Sequence, residues 1–231
     1  MIYFAYIVLG FLPSIVWLLF YLKKDLHPEP KRMLTKVFGW GMLSAIPTLL
    51  ISLGTQSFWE RFDIFIPVTI ATFFNIFIGV ALIEELLKYL IIQGEVLKNK
   101  EFDEPVDAMI YMIVAALGFA AAENVLYLLP CSVVGEAFFI AIGRFLGATC
   151  LHALCSAIVG YFLALAYFKK EKRKKLIFLG LGISTVLHGL YNFSIIEEEG
   201  YLKILIPVII LIGSSIFVSK FFKQLKSMGK C

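Results

Sequence analysis

Apolar positions along this chain gather in blocks, at about residues 2 to 22, 37 to 54, 65 to 93, 106 to 129, 137 to 168, 176 to 196 and 201 to 221. A helix needs about 20 consecutive apolar residues to cross the hydrocarbon of a bilayer, and each block meets or nearly meets that length. The pattern predicts an all-α, polytopic membrane protein with about seven transmembrane helices. The fifth block exceeds one crossing and is expected to tilt or protrude. No polar stretch between blocks approaches the roughly 50 residues of an independent soluble domain. Residues 1–231 therefore read as a single integral-membrane domain.

Composition supports this class: 60% of residues are apolar and 16% charged, against about 25% charged in a soluble domain. Lys and Arg then supply an orientation. Lys23, Lys24, Lys31, Arg32 and Lys36 follow the first block, and Lys98 and Lys100 follow the third. Lys169, Lys170, Lys172, Arg173, Lys174 and Lys175 follow the fifth, and Lys220, Lys223, Lys226 and Lys230 end the chain. These make seventeen on one side, whereas the alternate loops hold only Arg61 and Lys203. The positive-inside rule places the N-terminus outside and the C-terminus in the cytoplasm. Short basic clusters between spans orient a membrane protein, so the net charge of +4 gives no reason to expect a nucleic-acid partner.

Other compositional signals exclude more than they assign. Cys131, Cys150, Cys155 and Cys231 form no CxxC pair and no zinc-ligand spacing. Cys231 stands last, without the residues of a prenylation box. The first block has no basic region before it and no small-residue cleavage site after it, so it is expected to remain as a helix. No repeat of fixed period is seen, and an odd number of spans argues against paired inverted halves.

The chemistry lies in the ionisable residues inside the blocks: Glu84, Glu85, Lys88, Glu123, Arg144, His152 and His188. Each costs on the order of 3 kcal/mol to insert at mid-membrane and should face a protein-lined or wet interior. Lys88 follows Glu84 by four residues and Glu85 by three, one helical turn on, so one acid can pair with it while the other stays available. The alternative is a helix-end ion pair, with Lys88 snorkelling to water. Small residues from Gly118 to Ala122 allow a neighbouring helix to approach and present Glu123 to it. Arg144 lies two turns before His152 and roughly on its face, able to neutralise an acid, bind a carbonyl or anchor the interface. His188 and Asn192 share a helix face at four-residue spacing. Counted at about 1.5 Å per residue, Glu84 lies to the cytoplasmic side of mid-membrane and Glu123 to the outer side, offset by on the order of 10 Å.

Such a set can activate water. A buried Glu serves as general base, a histidine orients the water or returns the proton, and His188 or Asn192 can bond an oxyanion. No cofactor is required by the pattern, yet Glu84, Glu123, His152 and His188 also suit a divalent metal such as zinc. There is no GxSxG elbow and no HExxH pair. The four aspartates, 25, 63, 103 and 107, lie outside span interiors.

At these residues the chain resembles the PrsW family of intramembrane proteases, distant relatives of the type II CAAX prenyl proteases and the wider CPBP group. Its EExxK motif is matched by Glu84, Glu85 and Lys88, and its FxxxEN motif by Phe119, Glu123 and Asn124. Arg144 and His152 match the arginine and histidine of the next span, and His188, Gly189 and Asn192 match HGxxN. Asp103-Glu104-Pro105-Val106-Asp107-Ala108 and, more loosely, Pro28-Glu29-Pro30 are also similar. The motif-bearing core covers about residues 80 to 193. Type II CAAX enzymes have histidine where Glu123 stands. The resemblance implies a multi-pass protease of the bacterial cell membrane that makes the first cut in a membrane-anchored anti-sigma factor and so frees a stress sigma factor. It implies catalytic roles for Glu84, Glu85 and His188, then Glu123 and His152, with Lys88, Asn124, Arg144 and Asn192 supporting. Its partners would be a single-pass substrate and the bilayer. A proton- or ion-coupled transporter is the competing reading, since intramembrane Glu and His also build proton relays; a third is a non-catalytic scaffold that keeps the fold.

Overall fold

The computed structural model describes residues 2–25, 27–62 and 65–228; Asp63, Lys230 and Cys231 lie outside the described residues. Seven helical spans are long and apolar enough to cross a membrane, and no strand occurs among the described residues. The spans are α1 (Ile2–Leu22), α2 (Lys31–Glu60), a composite third (α3 Val68–Phe74, a π-helical stretch Asn75–Leu82, α4 Ile83–Glu95), α5 (Asp107–Leu128), a composite fifth (α6 Val134–Leu146, α7 Ala148–Phe168), α8 (Arg173–Glu197) and α9 (Leu202–Met228). Pro30 and Pro67 stand just before α2 and α3 with φ of −59° and −51°. A missing N–H costs nothing there, and the ring presets a helical φ.

The bundle is built around α5, every residue of which from Asp107 to Ala121 is buried. It packs on α1, α2 and α7. Glycines set the spacing: a Cβ on Gly118 would stand 2.1 Å from the Phe38 carbonyl oxygen of α2, and one on Gly41 would stand 2.1 Å from that of Ala115. A Cβ on Gly160 of α7 would stand 2.6 Å from the Ala108 carbonyl oxygen. Lipid-like surroundings give helices no hydrophobic reason to associate, so close backbone approach supplies the contact. The outer helices present Phe4, Leu50, Phe178 and Ile204 outward. Thus α5 is screened from lipid by protein, which is what allows it to carry Glu123 and Asn124.

Two local irregularities shape the interior. Between Asn75 and Leu82 the third span widens into π-helix. An extra residue in a wide turn rotates everything after it by about 100°. The stretch is braced from α2, where Thr55 donates to Asn75 Oδ1 at 2.9 Å and packs on Gly79. The acidic pair begins directly after it.

The second irregularity corrects the reading of the fifth block as one long helix with Arg144 and His152 on a common face. The chain breaks at Gly147 (φ −102°, ψ −93°). The Tyr191 hydroxyl of α8 occupies the place a side chain would need, 2.2 Å from an ideal Cβ. Arg144 therefore ends α6, and His152 opens the second turn of a new helix.

At the end of the bundle that carries the basic loops, Tyr111 donates to the buried Glu29 Oε2 at 2.5 Å. Burial pushes the Glu29 carboxyl up to about 8, against the opposing Tyr111 bond and with Asp107 adding to the rise. Burial likewise raises Asp25.

Candidate active site

Four spans deliver the ionisable residues to one place. Glu84, Glu85 and Lys88 come from α4, Glu123 from α5, His152 from α7 and His188 from α8. Glu84, Glu85, Lys88, His152 and His188 are all buried, none more than 3% exposed. The ammonium of Lys88 donates to Glu85 Oε1 at 2.9 Å, to His152 Nδ1 at 3.0 Å and to Glu84 Oε2 at 3.4 Å. It also stands 4.4 Å above the Phe119 ring, a cation–π contact that strengthens where water is scarce.

The two carboxylates of α4 have different surroundings. Glu85 is saturated: Oε1 accepts from Lys88 and from His188 Nδ1 at 3.1 Å, and Oε2 accepts from Ser156 at 3.1 Å. Glu84 instead lines a cavity. Its Oε2 lies 3.7 Å from His152 Nδ1 and 3.7 Å from His188 Nε2. Its Oε1 has no hydrogen-bond partner among the described residues and is not among the sealed, unpartnered atoms.

Glu123 stands on the far side of His152. Its Oε2 accepts from His152 Nε2 at 2.8 Å and from Arg144 at 2.6 Å. Arg144 also donates to Asn124 Oδ1 at 2.5 Å and stacks 4.0 Å from the Tyr127 ring centre. Asn124 turns its amide to the Gly10 carbonyl and to Thr149. The depth offset between Glu84 and Glu123 is thus spanned by a single imidazole.

These partners fix the imidazole tautomers. His188 gives its Nδ1 proton to Glu85 and His152 gives its Nε2 proton to Glu123, so His188 Nε2 keeps a lone pair 3.7 Å from Glu84 Oε2, while the lone pair of His152 Nδ1, also 3.7 Å from Glu84 Oε2, accepts from Lys88. His188, held by a carboxylate on one nitrogen and without a hydrogen-bond partner on the other among the described residues, has the arrangement found behind metal ligands. One ligand atom from each of Glu84, Glu85, His152 and His188 lies within 4.8 Å of the others. Ligands at about 2.1 Å from a tetrahedral zinc are about 3.4 Å apart, close to the 3.7 Å seen here. The donor set therefore fits a divalent cation, with Lys88 competing for the His152 lone pair. Of the four residues expected to ligate, Glu84, His152 and His188 belong to this group; Glu123 supports it from behind, and Glu85 joins it.

The cavity holds about 840 Å³, within the range of about 300–1,000 Å³ usual for ligand sites. Phe119, Glu123, Arg144, His152, His188 and Asn192 line it together with Thr48 and Ser52 of α2. Asn192 makes no side-chain hydrogen bond among the described residues, which leaves its amide to whatever enters. Ser156, Thr149 and Tyr191 support the centre but were not singled out by sequence. Ser156 carried one usable signal, since it follows His152 by four residues on one helix face.

A multi-pass helical bundle that keeps carboxylates, imidazoles and a free amide around a cavity at membrane depth has the layout of an intramembrane hydrolase. Comparison with known proteins narrows the class. Residues 29–218 match the model of the PrsW family intramembrane metalloprotease, and the chain belongs to that family. It is similar to Protease PrsW of Bacillus subtilis (32% identical over 211 residues, 90% of this chain and 91% of that one). It is 31% identical to Protease PrsW of Geobacillus kaustophilus over 85% of this chain and 82% of that one. The corresponding protein of Clostridioides difficile is 27% identical, over 96% and 92%. No solved structure matches the chain. The protein is accordingly a peptidase and a multi-pass membrane protein that works in a lipid bilayer.

Proposed function

We propose that this peptidase makes the first cut in a single-pass, membrane-anchored anti-sigma factor of the bacterial cell membrane, near the outer boundary of the bilayer, and so releases a stress sigma factor. The observation that carries the hydrolytic part is the approach of two imidazoles, His152 Nδ1 and His188 Nε2, each to 3.7 Å from Glu84 Oε2 at the edge of the cavity. The lysine and arginine asymmetry supports a bundle with its N-terminus outside and its C-terminus in the cytoplasm. In that orientation Glu123 and Tyr127 of α5 and Ile196 of α8, which line the cavity, lie toward the outer ends of their helices.

In the proposed reaction Glu84 Oε1 takes a proton from a water held between Glu84 and the imidazoles. That water attacks a peptide carbonyl lying in the cavity. The amide of Asn192 bonds the developing oxyanion, a contribution that grows in a dry site. The captured proton then passes to the leaving amine. Glu85 does not touch the reacting atoms; it holds His188 and Lys88 in place. Glu123 does the same for His152, and Arg144 and Asn124 fix Glu123. A divalent cation, held by Glu84, His152 and His188, would lower the pKa of bound water and polarise the carbonyl.

The test is co-expression of Glu84→Gln, Glu85→Gln and His188→Ala variants with a tagged anti-sigma factor, with the cut position read by mass spectrometry. Loss of a cut near the outer boundary is expected in all three. Undiminished cleavage in all three would overturn the assignment.

A further inference from the structure

Two polar motifs are not used by the hydrolytic centre: the Asp25 to Pro30 loop before α2 and the Asp103 to Asp107 run into α5. The fold joins them at the basic end of the bundle. Asp25, Glu104 and Asp107 each offer one oxygen within 4.8 Å of the others. We propose that these three carboxylates, with Glu29 beside them, form a second site, for a hard divalent cation, distinct from the active site.

The orphaned oxygen of Asp25 supports this first. Asp25 is more than nine-tenths buried, its Oδ1 accepts from the backbone N–H of His27 at 3.2 Å, and its Oδ2 has no hydrogen-bond partner among the described residues. A buried carboxylate oxygen left unpaired is costly unless something not in the protein satisfies it. Charge balance is the second support. Asp25, Glu29 and Asp107 are 8%, 7% and 1% exposed, yet the sole ion pair to the group among the described residues is that of Glu104 with the exposed His27. No lysine or arginine pairs with it among those residues. The third is pre-organisation. Asp107 Oδ2 accepts the backbone N–H groups of Asp103 and Glu104 at 3.0 and 2.7 Å, and Pro28, Pro30 and Pro105 stiffen the two loops.

The donor chemistry selects the ligand. Oxygen-only sets favour calcium, magnesium or manganese over zinc or copper. Oxygens no more than 4.8 Å apart lie within the span of two calcium–oxygen bonds of about 2.4 Å each. Occupied, the site ties the α1–α2 connection to the start of α5. Glu123 lies sixteen residues further along that helix, about 24 Å away, so the two sites do not share ligands.

The test uses full-length protein in nanodiscs carrying His152→Ala and His188→Ala, which removes the imidazoles of the active-site set and keeps this reading separate from the proteolytic one. Binding of Mn2+ is followed by electron paramagnetic resonance, with Ca2+ and Mg2+ as competitors. One saturable Mn2+ is expected, displaced by Ca2+ or Mg2+, and weakened at least tenfold by Asp25→Asn or Asp107→Asn but not by Glu101→Gln. Asp107→Asn also loosens the loop, so Asp25→Asn, whose orphaned oxygen makes no hydrogen bond, decides the case if Asp107→Asn fails to fold. Absence of saturable Mn2+ binding in the histidine-free background, or binding unchanged by Asp25→Asn, would overturn the proposal.

Discussion

Among the described residues Lys88 is the only ammonium bonded to both carboxylates of α4, and it is fully buried. Removing one partner of a buried ion pair leaves an uncompensated charge and costs about 3–5 kcal/mol. Lys88→Met should therefore lower stability by that order in thermal or denaturant unfolding followed by circular dichroism. The double variant Lys88→Met/Glu85→Gln should recover part of the loss, because it removes the stranded charge as well. Ser156 tests a finer distinction. Ser156→Ala takes one neutral donor from Glu85, a change of about 1–3 kcal/mol, and should reduce turnover far less than Glu84→Gln does. Glu84, Glu85, Glu123, His152 and His188 stood out in the sequence because a charge at membrane depth is costly enough to need a reason. Ser156, Thr149 and Tyr191 did not, since neutral polar residues in a span cost little and occur for many reasons. Which carboxylate faces the cavity was not legible either: Glu84 and Glu85 are adjacent, and only packing separates them.

At the scale of the helices, the seven spans followed from block length, and the close packing of α5 followed from its small residues. Substitutions there should read out spacing. Gly118→Leu should lose folded protein and activity together, because its side chain must displace the backbone of α2 at Phe38. Gly39→Ala, with nothing within 4 Å of its Cβ, should be tolerated. The break in the fifth block was hidden because Gly147 lies within a continuous apolar run and owes its conformation to Tyr191 on another helix. Gly147→Ala should cut activity, measured as substrate cleavage in membranes, and Tyr191→Phe in the same chain should restore part of it by removing the clashing hydroxyl. The π-helical stretch before Glu84 was equally hidden: hydropathy counts residues and is blind to the phase at which a helix delivers them.

At the scale of the whole molecule, α5 is kept from lipid by its neighbours, and four spans close on one centre from different directions. No single span contains the site, so no local pattern could show its geometry, although the order of the motifs made the family resemblance specific. The depth offset between Glu84 and Glu123, read along separate helices, turned out to be filled by the imidazole of His152. The central claim is that Glu84 and His188 act as one unit on one water. Its most direct test is single-turnover cleavage of a single-pass substrate in reconstituted bilayers by wild type, Glu84→Gln, His188→Ala and the double variant. Each single change should slow cleavage by about 10²–10⁴-fold, and the double should be no slower than the worse single, as for groups that work together. Full-rate cleavage by either single variant, or losses that multiply in the double, would contradict the account.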